Sequence, residues 1–118
     1  MDEVFDHDGA LRRVGDDPEL LAELVELFLE ECPTHLAAVR AAIADSNAEA
    51  LEHEAHAMKG AAGNVGADGV QAAARRMEVM GRSRMLDGAA PALGALEDAV
   101  ELARTTLTSF LRRREAAA

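Results

Sequence analysis

Apolar residues recur along most of this chain at alternating steps of three and four, the period of an amphipathic α-helix. The clearest run is Leu21, Val25, Phe28, Cys32, Leu36, Val39 and Ile43, widened by Leu20, Leu24 and Leu27. It stays in phase across Pro33, which predicts one helix kinked by the proline rather than two separate helices. Leu51, Ala55, Met58, Ala62 and Val65 form a second seam; Val70, Ala73, Ala74 and Met77 form a third. A fourth passes through Leu93, Leu96, Val100, Ala103, Leu107 and Phe110.

The breaks between seams carry end signals. Asp16-Asp17-Pro18 reads as a helix start, with acid and proline in the first turn. Asp45-Ser46-Asn47 ends one helix and caps the next. Gly66 suits a left-handed closing residue, and Asp68 the N-cap that follows. Gly81 to Gly88 reads as the loosest connector, and the last helix begins near Ala89-Ala90-Pro91. Ahead of all this, Phe5 to Val14 predicts a short helix, capped by Asp6, ended by Gly15 and held down by Phe5 and Leu11. The expectation is an all-α fold, an antiparallel four-helix bundle with a short N-terminal covering helix. Residues 1–118 read as one domain, frayed over 1–4 and 115–118.

Composition narrows the picture. At 118 residues the chain can bury about two-thirds of its unfolded surface. It is 49% hydrophobic but only 3% aromatic, so the core is built from Leu, Val, Ala and Met, which favours helices over a β-sandwich. A net charge of −10 speaks against nucleic acid, whose phosphates call for Lys and Arg. Cys32 is the single cysteine, so no disulfide framework exists, a reducing compartment is expected and the thiol reads as a small core residue. The acidic start Met1-Asp2-Glu3 does not resemble a signal peptide, and no apolar stretch approaches the ~18 residues of a membrane span. The expectation is a soluble, cytoplasmic protein without membrane contact.

Candidate chemistry lies on the second seam's helix, on the side away from the seam. At about 100° per residue, His56 falls roughly 140° from the seam's centre and points to solvent. Glu49, Glu52, His53, Lys59, Gly60 and Gly63 share its face. A glycine inside a helix costs about 1 kcal/mol relative to alanine. Two of them on a solvent face mark a place of close approach, by a partner or by a neighbouring helix. A neutral imidazole can attack phosphorus, and the ammonium of Lys59 can offset charge on phosphoryl oxygens.

The run His56-Ala57-Met58-Lys59-Gly60-Ala61-Ala62-Gly63-Asn64-Val65-Gly66 resembles the signature of histidine-containing phosphotransfer (HPt) domains. That signature is His-x-(Leu/Met/Ile)-Lys-Gly-(Ser/Ala)-(Ala/Ser)-x-Asn-(aliphatic)-Gly. The resemblance implies a phosphorelay intermediate rather than an enzyme. His56 would be the phosphoacceptor between aspartates of response-regulator receiver domains, and Lys59 would stabilise the phosphoryl charge. Receivers would dock over Glu52, His53, Lys59, Gly60 and Gly63, and a hybrid sensor histidine kinase would stand upstream. The family also implies that Mg²⁺ is held by the receiver, leaving this chain, expected to be monomeric, without a cofactor or metal of its own. In some members a glutamate at the spacing of Glu78 orients the acceptor ring; the alternative for Glu78 is a solvated acid paired with Arg75 or Arg82.

Other readings stand beside this one. His53, one turn before His56, is a second possible nucleophile, but the Lys-Gly pattern follows His56. Glu49, Glu52, His53 and His56 offer metal-binding side chains on one face. His53-Glu54-Ala55-His56 is nevertheless one residue short of the zinc-protease helix motif. The chain could also be the phosphoacceptor domain of a chemotaxis-type kinase, or a helical adaptor or dimerisation module that is never phosphorylated.

Overall fold

A computed structural model describes residues 4–117, so the frayed ends expected at 1–3 and 118 lie outside the described residues. Five α-helices account for nearly all of them: α1 (His7–Arg13), α2 (Pro18–Ala44), α3 (Ala48–Asn64), α4 (Asp68–Ser83) and α5 (Ala89–Ala117). No strand occurs among the described residues. Each of the first three helices starts on a side-chain cap that satisfies otherwise unpaired N–H groups. The Asp6 carboxylate accepts from Gly9 N at 3.0 Å, Asp17 from Glu19 N at 3.1 Å and Leu20 N at 3.2 Å, and Asn47 from Ala50 N at 3.0 Å. Pro18 opens α2, where its missing N–H costs nothing.

Pro33 lies inside α2, which is continuous from Pro18 to Ala44, as the unbroken seam requires. The seams become the core. Leu21, Val25, Phe28, Cys32, Leu36 and Val39 of α2 are buried against Leu51, Ala55, Met58 and Ala62 of α3, Val70, Ala74 and Met77 of α4, and Leu96, Ala103 and Leu107 of α5. Burial pushes the Cys32 thiol pKa up, as befits a residue that packs rather than reacts. Phe5 closes one end of this core and makes an edge-to-face contact with Phe110, ring centroids 5.2 Å apart.

Local expectations are corrected at Leu20 and Leu27, at Asp68 and at Gly81. Leu20 and Leu27 do not widen the buried stripe but are exposed, because the stripe needs only one face of α2. Ala42 completes it, and Ile43 packs against the same core half-buried. Ala67 rather than Asp68 is the N-cap of α4, and no side chain caps that end; Asp68 sits in the first turn, where its charge suits the helix dipole. Gly81 belongs to α4 and not to a connector. It is buried where the helices touch, and a methyl there would stand 2.6 Å from Glu52 N and 2.8 Å from the Ala48 carbonyl oxygen. At the other end α5 remains helical through Glu115–Ala117.

The turn after α3 is built as the sequence suggests. Gly66 has φ +71°, a left-handed backbone that glycine adopts without strain. Its carbonyl accepts from Asp6 N at 2.8 Å, and a Cβ there would stand 2.5 Å from the Asp6 carbonyl oxygen. Arg13 Nη1 donates to the Gly63 carbonyl at 2.9 Å. The turn thus anchors the segment that leads into α1.

Candidate phosphoacceptor site

Four side chains on α3, Leu51, Ala55, Met58 and Ala62, are fully buried. They fix the rotation of the helix about its axis, so His56 faces outward with its side chain 69% exposed. From the adjacent α4, Glu78 reaches the ring. Its side chain is only 5% exposed, yet its Oε2 lies 2.5 Å from His56 Nδ1 and its Oε1 2.7 Å from Lys59 Nζ. Arg82, one turn on, approaches Glu78 Oε2 at 3.5 Å and donates from Nε to Glu52 Oε2 at 3.2 Å. Glu78 is the one buried charged residue among those described. Its burial is compensated by three cationic or proton-donating neighbours, as a buried charge requires.

These contacts set the protonation of the site. The hydrogen bond from Lys59 and, next, that from His56 hold the Glu78 carboxyl below the usual carboxylate range, against the opposing effect of burial. An ionised carboxylate only accepts, so the ring donates through Nδ1–H. In the neutral imidazole that assigns the lone pair to Nε2, the nitrogen on the solvent side. The result is an exposed nucleophile with a fixed tautomer and a fixed orientation.

The two exposed-face glycines divide their roles. A methyl at Gly60 would meet nothing within 4 Å, whereas one at Gly63 would stand 2.6 Å from Gln71 Nε2. Gly60 therefore keeps open space beside the ring, and Gly63 admits α4. His53 is exposed. Glu52 is engaged by Arg82, and no group of three or more possible metal ligands comes together among the described residues. Of the two alternatives for Glu78, the structure shows the bond to His56 together with a pairing to Arg82, and none to Arg75.

Sequence reasoning missed the buried Gly81 and the Glu52–Arg82 bridge. The first was available from the period: Val70, Ala74, Met77 and Gly81 continue in steps of four, three and four. The second depends on the pairing of two helices and has no local signal.

The exposed His56 side chain stands on an open helix face. A hollow of about 640 Å³ lies elsewhere, between the connectors at Asp45–Glu49 and Arg84–Asp87. An exposed nucleophile on an open helix face is suited to a macromolecular partner that brings its own pocket. Residues 23–106, over two-thirds of the chain, match the family model of the Hpt domain. The chain belongs to the Hpt domain family and is a histidine phosphotransfer protein of the phosphorelay kind. Its fold is similar to the crystal structure of histidine-containing phosphotransfer protein B (HptB) from Pseudomonas aeruginosa PAO1. The two share 22% sequence identity, with a TM-score of 0.85 over 93% of this chain and 96% of that one. No curated protein sequence matches this chain. No helix among the described residues is long and apolar enough to cross a membrane.

Proposed function

We propose that His56 Nε2 accepts a phosphoryl group from the aspartate of one receiver domain and passes it to a second. The observation that carries this reading is the 2.5 Å contact between Nδ1 of an exposed ring and the buried Glu78 carboxylate. In the transfer, the Nε2 lone pair forms the N–P bond as the P–O bond to the receiver's aspartate breaks. The aspartate leaves as a carboxylate. No proton has to move: Nδ1 keeps its hydrogen, the ring becomes positive and Glu78 lies against it. Glu78 thus orients the ring before transfer and offsets its charge afterwards, while Lys59, with three donors, has N–H bonds left for the phosphoryl oxygens.

The receiver docks over Glu52, His53, Lys59, Gly60 and Gly63, with Gly60 giving its acidic pocket room to close on the ring. Mg²⁺ is held by that pocket, and this chain contributes no cofactor and no kinase activity of its own. A sensor kinase, hybrid or separate, supplies the phosphoryl group upstream. The fold behind the site is an antiparallel bundle of α2 to α5 covered by α1, acting as a cytoplasmic monomer.

The test is transfer from a radiolabelled, phosphorylated receiver domain in Mg²⁺ to the wild type and to His56→Gln. Acid-labile, base-stable label on the wild type alone is the expected result. Label on both proteins would move the acceptor elsewhere, His53 first. A wild type that stays unlabelled across several receivers would favour the adaptor reading.

A further inference from the structure

With His56 as the acceptor, phosphorylation adds charge that the resting ion pairs do not match, and Arg75 is an exposed, unpaired cation on the facing helix among the described residues. In the resting site the charges of Lys59 and Arg82 are matched by those of Glu78 and Glu52, through the contacts at 2.7, 3.5 and 3.2 Å. Transfer adds a phosphoryl group with up to two negative charges and makes the ring positive, so one negative charge remains unmatched. Lys59 and Arg82 are already bound to carboxylates. Arg75 is not: it is exposed, and among the described residues it has no ion pair or hydrogen bond.

Its position follows from how the two helices pair. Passing up α4 from Gln71 to Glu78 to Arg82, the neighbours on α3 run down from Gly63 to His56 to Glu52. Arg75 lies on that same line of α4, four residues after Gln71 and three before Glu78. That places it across from Lys59, about one helical turn, roughly 5 Å, from the level of His56. A guanidinium on a long, flexible stem spans such a distance and presents paired N–H donors to phosphoryl oxygens. Arg76, the next residue, is also exposed but points about 100° further round the helix, off this line.

We propose that Arg75 joins Lys59 in binding the phosphoryl group of the phosphorylated state, closing on the group attached to Nε2. This rests on His56 being the acceptor. The test uses the full chain and potassium phosphoramidate as donor, so no cognate receiver is needed. The donor's P–N bond breaks, ammonia leaves, and the N–P bond forms on His56. The readout is the ³¹P signal of the phosphohistidine followed through its pH titration. A cation close to the phosphoryl group favours its dianion, so Arg75→Gln should raise the titration midpoint by about 0.5–1 unit. Arg75→Lys should restore most of the wild-type value, and Arg76→Gln should leave it unchanged.

Equal midpoints in the wild type and Arg75→Gln would overturn the proposal, as would a shift of the same size in Arg76→Gln. Failure of the underlying reading has a different signature. It would appear as a phosphohistidine signal that persists in His56→Gln, or as none in the wild type.

Discussion

At the scale of single residues, the Glu78 carboxylate is the most consequential group in the molecule, because it holds His56 and Lys59 at once. Its lowered pKa has a direction that can be tested. A carboxyl held below its unfolded value stabilises the fold above that unfolded value, and the contribution is lost as pH falls through the lowered folded one. Glu78→Gln should therefore cost about 1–3 kcal/mol at pH 7, the range for losing charge-assisted bonds to a buried acceptor. The gap between variant and wild type should close as the solution is acidified below the usual carboxylate range. Urea unfolding followed by circular dichroism at several pH values measures both. A gap that stays constant down to the lowest pH would mean that the ionised carboxylate contributes nothing to stability. The identity of Glu78 as a candidate could be read from its spacing to His56. That it is buried and shared could not, since both depend on the pairing of α3 with α4.

At the scale of elements, α3 and α4 approach so closely that Gly81 is an obligate contact. A methyl there meets backbone atoms of α3 at 2.6 and 2.8 Å, and backbone cannot swing aside as a side chain does. Gly81→Ala should lower stability by about 1–3 kcal/mol, as overpacking does, despite alanine's better helix propensity. A midpoint of urea unfolding equal to or above wild type would refute it. The helices themselves were legible because an apolar step of three or four records the face that a helix buries. Misreadings arose where a residue's local tendency competes with packing. Gly81 breaks helices in isolation, yet here it is selected for lack of volume. Asp68 is a good cap, but the turn through Gly66 already sets where α4 begins. Leu20 and Leu27 have core chemistry, but the buried face of α2 is already occupied.

At the scale of the whole molecule, α1 is secured through a few identifiable contacts: the Asp6–Gly66 backbone bond, the Arg13–Gly63 bond, and the packing of Phe5 on Phe110. Gly66→Ala would force a side chain into a left-handed backbone and against the Asp6 carbonyl. The expected outcome is faster hydrogen exchange at the amides of α1, with α5 amides near Leu96 little changed, because local opening need not involve the core. Uniform acceleration across all helices would show instead that α1 is integral to the cooperative unit. Nothing in the sequence pairs Asp6 with Gly66, 60 positions later, so this anchoring became visible only in three dimensions.

The bond between His56 and Glu78 has a further consequence, for the lifetime of encounters. On the proposed reading, with His56 as the acceptor, the imidazole is aimed when the chain folds, so a docking partner need not spend binding energy on freezing its rotation or choosing its tautomer. A weak and brief collision complex is then enough for transfer. A shuttle that must release one partner before meeting the next gains from such brevity, since tight binding to either would slow the traffic between them.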